Sequence, residues 1–321
     1  MLEAMTTAEL GDDVYGDDPT VNKLEDKTAE LLGFEAALFT ASGTQANLVA
    51  IMSHCKRGDE YIVGQQAHTY KYEAGGAAVL GSVQPQPIDF EPNATLDLGK
   101  VKEKIKPDDF HFARTRLLCL ENTHNGKALP LEYLREAADF CGQQNLLLHL
   151  DGARLCNAAV EQQVSLQQIT KNFDSATLCL SKGLGAPVGS MLCGSRPFIE
   201  EARKWRKMVG GGMRQAGILA AAGIYALDHN ISRLAEDHTN GRLLADSLRR
   251  FEKLTVDLNQ CQTNMTFFSA PIGLVREMAR FLQQRGILIT PRATTRLATH
   301  LDINREDIVL TIDMIGEFFE Q

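Results

Sequence analysis

The chain contains no long apolar run. Its longest uncharged apolar stretch, 217–227, falls far short of the ~18 residues a membrane span requires. The opening Met1-Leu2-Glu3-Ala4-Met5 has no basic segment followed by an apolar core, so no secretory signal is expected. The seven cysteines are odd in number and include no Cys-x-x-Cys pair. That argues against a disulfide framework and for reduced thiols in a reducing compartment, with the cytoplasm as the expected location. Basic charge is in deficit: Lys plus Arg total 33 against 41 Asp plus Glu, a net charge of -8. Nucleic acid is therefore disfavoured as a partner, although local basic pockets are compatible with this balance. The remaining composition, 44% hydrophobic and 23% charged over 321 residues, is that of a globular chain long enough for about two domains.

Several common site motifs are also missing. Gly99-Lys100 and Gly126-Lys127 lack both the spacing and the hydroxyl residue of a phosphate-binding P-loop. There is no G-x-S-x-G elbow and no H-E-x-x-H, and Gly183, Gly185 and Gly189 miss the G-x-G-x-x-G spacing. An NTPase, an α/β-hydrolase, a zincin and a Rossmann dehydrogenase are thereby disfavoured, and no metal site is expected.

What is present is an alternation of short apolar runs and helical patterns. Asp18-Pro19 is a good N-cap and first-turn pair, and Val21, Leu24, Thr28 and Leu31 follow at helical spacing until Gly33. Strands are predicted at 36–39, 61–63, 82–88, 117–120, 146–150 and 176–180, with helices at 46–54 and 131–143 among the segments between them. This pattern implies βα units around a mostly parallel sheet covered on both faces. From about 197 the texture becomes helical, at 198–208, 213–228 and 232–252. The last part mixes predicted strands at 255–258, 265–269 and 286–290 with helices at 274–284 and 305–319. The expected organisation is a large α/β domain over 1–235 and a small α+β domain over 236–321.

Four features fall at the ends of predicted strands, where open α/β sheets place their ligands. Ala41-Ser42-Gly43-Thr44-Gln45-Ala46-Asn47 opens a helix with small residues that let backbone amides approach an anion, or is an ordinary cap and turn. His149-Leu150-Asp151-Gly152-Ala153-Arg154 puts a carboxylate at a strand tip, either for a protonated ring nitrogen or for a local ion pair with Arg154. Leu178-Cys179-Leu180-Ser181-Lys182-Gly183-Leu184-Gly185 ends an apolar strand on a lysine. Apolar walls favour its free amine, the form that makes a Schiff base, although most lysines at turns are simply solvated. Gly210-Gly211-Gly212-Met213-Arg214-Gln215, after Trp205-Arg206-Lys207, is a basic stretch that reaches an anion or a solvated helix end. Anion loop, strand-tip Asp and then strand-tip Lys, in that order, is the layout of a pyridoxal 5'-phosphate site in the aminotransferase-like, fold-type I architecture. Such a site needs a phosphate cradle, a carboxylate for the pyridine nitrogen and an amine for the aldehyde.

Longer motifs carry a resemblance. Gly11-Asp12-Asp13-Val14-Tyr15-Gly16-Asp17-Asp18-Pro19-Thr20-Val21-Asn22, Ser42-Gly43-Thr44-Gln45-Ala46-Asn47, Glu121-Asn122-Thr123-His124-Asn125-Gly126, Asp151-Gly152-Ala153-Arg154, Ser181-Lys182-Gly183-Leu184-Gly185-Ala186-Pro187-Val188-Gly189-Ser190 and Gly210-Gly211-Gly212-Met213-Arg214-Gln215 resemble the low-specificity L-threonine aldolases over essentially the whole chain. The resemblance implies cleavage of L-threonine and L-allo-threonine to glycine and acetaldehyde with pyridoxal phosphate. It implies Lys182 as the Schiff-base lysine, Asp151 as partner of the ring nitrogen, and His68 stacked on the ring and facing the substrate hydroxyl. Gly43 and Thr44 would hold the phosphate, with Arg214 and Lys207 reaching over from a neighbouring subunit. Arg154 and Arg296 would grip the substrate carboxylate, and His111 is a second candidate near the hydroxyl. The general base is then either His68, directly or through water, or His111. A homo-oligomer, a dimer of dimers, is implied, with active sites at subunit interfaces. Family members begin with a segment containing Arg-Ser-Asp-Thr ahead of the stretch matching Met1, absent here, whose serine contacts the substrate carboxylate. Two other readings stand beside this one: a cofactor-binding chain with catalysis impaired by that absence, and a β-eliminating lyase.

Overall fold

A computed structural model describes every residue from Met1 to Gln321 and divides them into two compact units. The first comprises Met1–His124 with Leu129–Ile231, and the second Asn125–Ala128 with Ser232–Gln321.

The first unit is built on seven strands: β1 (Ala36–Thr40), β2 (Glu60–Gly64), β3 (Gln84–Ile88), β4 (Thr115–Glu121), β5 (Leu147–Asp151), β6 (Ser175–Cys179) and β7 (Ser190–Gly194). They form one sheet in the order β1-β7-β6-β5-β4-β2-β3. All run parallel except β7, which lies antiparallel to both β1 and β6. β2, β6 and β7 are buried along their whole length, as apolar runs covered on both faces must be. The sequence reading missed β7, whose five residues sit among glycines and carry no alternation. A short link between antiparallel neighbours explains it: parallel strands need a long crossover, whereas β6 returns as β7 through the glycine-rich 180–189 loop. Leu38, Ala46, Val49, Ala50 and Leu192 form one part of the core, and Ile51, Tyr61, Val63, Leu117 and Cys119 another.

Helix Pro19–Leu32 begins where Asp18 accepts hydrogen bonds from the amides of Thr20 (3.1 Å) and Val21 (3.0 Å), and ends at Gly33 with φ 76°. Such a cap stabilises a helix by about 1 kcal/mol. Asp18 does more, because its other oxygen accepts from the amides of Gly11 (3.2 Å) and Gly217 (2.9 Å), tying the N-terminal segment and helix Gly217–His229 to the same carboxylate. No helix is long and apolar enough to cross a membrane.

The second unit pairs β8 (Met265–Ser269) with β9 (Thr294–Ala298) in a two-stranded antiparallel sheet. Leu244 and Leu248 of helix Leu234–Leu248, Phe268 of β8, Val275 and Met278 of helix Ile272–Gln283, and Ile308, Ile312 and Ile315 of helix Arg305–Glu320 make its core. Two predicted strands fail here. At 255–258 there is only an isolated bridge between Thr255 and Ser269. At 286–290 the alternating Ile287 and Ile289 pack on the core without a ladder, and the strand that pairs with β8 comes later, at β9. Alternation reports burial of one face, not a hydrogen-bonded neighbour.

Candidate active site

Parallel pairing brings the C-terminal ends of β4 and β5 together, with Glu121 registered against Asp151. Asp151 is 2% exposed. Its Oδ1 accepts from the amide of Ala153 (3.0 Å) and its Oδ2 from Asn47 Nδ2 (2.9 Å). The chain turns immediately after it at Gly152, where a Cβ would lie 2.1 Å from the carbonyl oxygen of Thr177, so only glycine lets the two strands approach there. Beyond β6, Lys182 stands in a tight turn closed by the Gly185 amide donating to its carbonyl (2.9 Å), while Leu180 is tied to Gly189 and Ala186. Asn230 donates to Leu184 (2.7 Å) and anchors the loop. Ser42 caps helix Gly43–His54, accepting from the amide of Gln45 (3.2 Å), which leaves the first-turn amides of Gly43 and Thr44 without partners inside the helix.

Gly43, His68, Asp151 and Lys182 line one pocket, together with Asn47, Ala153, Thr177, Cys179 and Ser190. Ser190 is completely buried, and its Oγ has no hydrogen-bond partner.

A connected polar network lies behind this pocket. His68 starts the short helix His68–Lys71, and its amide donates to Glu121 Oε2 (2.6 Å). Its ring Nδ1 lies 2.8 Å from Glu73 Oε1. Asn47 Nδ2 reaches both Glu73 Oε1 and Asp151 Oδ2, each at 2.9 Å. Asn47 Oδ1 accepts from Thr177 Oγ1 (3.2 Å) and faces His149 Nε2 (3.4 Å). His149 Nδ1 and His54 Nε2 both meet Ser175 Oγ, at 2.7 and 2.6 Å. Glu121 also holds His124 Nδ1 (2.7 Å), whose ring stacks on Phe90 with centroids 3.8 Å apart. Burial pushes the Asp151 carboxyl up, and the Glu121 charge adds to this while Lys182 and His68 oppose it. The bond to Glu73 pushes His68 above its ordinary value. Burial pushes Glu73 itself up, against the pull of His68.

The other candidates lie elsewhere. Arg154 is the half-buried residue that opens helix Leu155–Gln162, directly after the Asp151 turn. Arg214 is 60% exposed, paired with Asp12 Oδ2 at 2.6 Å and set over the Tyr15 ring. Lys207, in the last turn of helix Arg196–Met208, also bears on Asp12, which these cations hold below its usual range. The buried cation of that stretch is Arg206, bound to Asp13 (2.9 Å) and to the carbonyl of Phe39 (2.7 Å). His111 is 65% exposed in the segment before β4, with Nδ1 2.6 Å from Asp109 Oδ1, and does not line the pocket. Arg296 is an exposed residue of β9 in the second unit. Sequence reasoning missed Glu73 and Thr177. Asn47 and Ser190 each close a motif whose sequence alone gives them no role, and Glu73 sits in an irregular stretch that carries no signal.

Comparison with known proteins bears on this arrangement. The family model described as beta-eliminating lyase matches residues 1–271. A low-specificity L-threonine aldolase of Escherichia coli is 58% identical over 308 residues, covering 96% of this chain and 92% of that protein. Low-specificity L-threonine aldolase 1 of Arabidopsis thaliana is 40% identical, with 97% and 90% of the two chains covered. Among solved structures, the threonine aldolase of Leishmania major superposes with a TM-score of 0.83 at 21% identity, over 98% of this chain and 94% of that one, a likeness of fold. The chain belongs to the beta-eliminating lyase family and, within it, to the low-specificity L-threonine aldolases.

Proposed function

We propose that the protein cleaves β-hydroxy-α-amino acids of the threonine type, L-threonine and L-allo-threonine, to glycine and acetaldehyde, with pyridoxal 5'-phosphate as cofactor. The observation that carries this reading is the convergence of an amine (Lys182), a buried carboxylate (Asp151) and an imidazole (His68) on one pocket, in a chain 58% identical to an aldolase along nearly its whole length.

The residues suit the cofactor. Ser190 Oγ is a buried hydroxyl in want of a partner, and beside it the missing side chain of Gly43 leaves the backbone open, since a Cβ there would stand 3.5 Å from that oxygen. With the first-turn amides of Gly43 and Thr44 this makes a cradle for phosphate oxygens. When bound, the cofactor supplies a protonated ring that accepts the electron pair released by carbon–carbon cleavage.

The protein's own groups do the rest. Lys182 anchors the cofactor's aldehyde through its amine. Asp151, a carboxylate made more basic by burial, holds the proton of the ring nitrogen. His68, which lines the same pocket, would stack on the ring and take the β-hydroxyl proton, directly or through a water, with Glu73 behind it. Arg154 and Arg296 grip the substrate carboxylate, because a guanidinium fork matches its two oxygens. In a homo-oligomer built as a dimer of dimers, Arg214 and Lys207 serve the phosphate of the neighbouring subunit. The setting is the cytoplasm.

The test is acetaldehyde release from L-threonine and L-allo-threonine by the full chain with added pyridoxal phosphate, with Lys182→Ala as control. Release that disappears in the variant is the expected result. Pyruvate and ammonia in place of acetaldehyde would move the reading to a β-eliminating lyase. Bound cofactor with no turnover would move it to a chain impaired in catalysis.

A further inference from the structure

Glu73 is 7% exposed, and its carboxylate has two partners, His68 Nδ1 at 2.8 Å and Asn47 Nδ2 at 2.9 Å, both on Oε1. A carboxylate only accepts, so the His68 nitrogen facing it must carry the hydrogen. That fixes the ring: Nδ1 is the donor and Nε2 is left for whatever enters the pocket that His68 lines. Asn47 is fixed by the same logic. Its Oδ1 takes the Thr177 hydroxyl, so its NH2 faces the carboxylates, one hydrogen to Glu73 and one to Asp151. One ring nitrogen of His68 and one carboxylate oxygen each of Glu73 and Asp151 lie within 4.8 Å of one another, a spacing at which two bare carboxylates repel unless a shared donor stands between them.

We propose that Glu73 is the positioning residue of His68: its buried carboxylate holds the Nδ1–H, so that Nε2 is the nitrogen presented to the substrate's β-hydroxyl, and Asn47 holds Glu73 in place against Asp151. This rests on the aldolase reading for the hydroxyl and on geometry alone for the pair. In the step itself the hydroxyl O–H bond breaks and an N–H bond forms at Nε2, directly or across one water, and the oxygen keeps the electron pair. The Nδ1 hydrogen stays where it is. The imidazolium is thus made beside a carboxylate, and no proton passes to Glu73.

The groups that face His68 are Glu73, Asp151 and Lys182, with the Tyr72 ring beside it at 5.8 Å between centroids and Glu121 on its backbone amide. The carboxylates favour the charged ring and the lysine opposes it, so the base form of His68 is reached only above the ordinary histidine range of about 6.5. Removing the Glu73 charge therefore moves the acid limb of the rate profile to lower pH, while the plateau falls because the ring is no longer held.

His68 keeps 39% of its side chain exposed, so it can be acylated by diethyl pyrocarbonate, which attacks only the neutral ring. The rate of its modification against pH, read by peptide mass, gives its titration midpoint in the full chain. In Glu73→Gln the His68 midpoint should fall, with kcat down about tenfold and KM little changed. Glu73→Asp keeps the charge on a shorter arm. It should retain most of the raised midpoint yet still lose kcat, and it stands in if the glutamine variant does not fold. An unmoved His68 midpoint in Glu73→Gln overturns the pairing, and a lowered midpoint with unchanged kcat overturns the positioning role. Wild-type protein that releases no acetaldehyde would sink the aldolase reading and leave the midpoint measurement to decide the pairing.

Discussion

Two histidine networks meet at Asn47, and their imidazoles are driven in opposite directions. On the pocket side, His68 is half-buried against the Glu73 carboxylate and is pushed up. Beneath it, His149 is completely buried with a serine hydroxyl and an amide for partners, and burial pushes it down to about 4. His54, on the other side of the same Ser175, is pushed down to about 3, by burial first and by His149 second. Burial acts against the charged ring in all three, so the sign is decided by the partner: a carboxylate repays the lost hydration, a hydroxyl does not. The lower pair is accordingly held neutral and acts as fixed dipoles. His149 and Thr177 orient the Asn47 amide, and the amide sets the two carboxylates. Proton chemistry belongs to the upper network and alignment to the lower one.

The largest effect that would test this division comes from Lys182→Ala. It should abolish acetaldehyde release and the borohydride-fixed cofactor label, yet move the thermal midpoint by no more than about 2 °C, since Lys182 is half-exposed. A large loss of stability would show that the pocket side also carries the fold. Next comes His68→Ala, for which kcat should fall about tenfold or more, with a water reaching the same hydroxyl limiting the loss. The acid limb belonging to its raised titration should disappear from the pH profile. An intact acid limb would assign it to another group and remove His68 from the step.

The lower network should answer in stability instead. His149 in the folded state binds its proton near pH 4, well below the unfolded histidine value of about 6.5. Its contribution is thus fully present above about pH 6.5 and is lost as pH falls toward 4, because the unfolded chain takes the proton first. From pH 7 to pH 5 that amounts to about 2 kcal/mol. In His149→Asn the protein should be less stable at pH 7, and its further loss between pH 7 and 5 should shrink by that amount in denaturant melts. An unchanged acid sensitivity would place the neutral histidine elsewhere.

How much of this was legible in the sequence follows from the range of each signal. Asp151 and Lys182 end apolar runs and are followed by glycines, so strand, tip and turn are all written within ten residues of each. Gly43 likewise follows β1 directly at a helix start. Glu73 has no such frame. It lies in an irregular stretch between His68–Lys71 and Gly76–Val79, and only folding over the sheet buries it next to Asn47. Ser190 was quoted within a long motif, but that its hydroxyl is buried without a partner depends on β7 turning back beside β6. In the second unit the same limit appears as misplaced strands, where apolar alternation at 286–290 marks core contact and not pairing.

His111 gives the smallest expected effect and the sharpest contrast with His68. Both histidines have a carboxylate on Nδ1, Asp109 at 2.6 Å and Glu73 at 2.8 Å, so the hydrogen-bond pattern alone does not separate them. Exposure does. The Asp109 pair stands in solvent, where an ion pair is worth little and water competes for both members. The Glu73 carboxylate is buried and has no such competitor. His111→Ala should therefore change kcat by less than about threefold, under 1 kcal/mol of transition-state energy. It should also leave the acid limb where it is, measured on the same substrates as His68→Ala. A loss as large as that of His68→Ala would mean that the segment carrying His111 reaches the reacting hydroxyl in the working enzyme. The contrast between a buried and a solvated carboxylate would then not be what selects the working histidine.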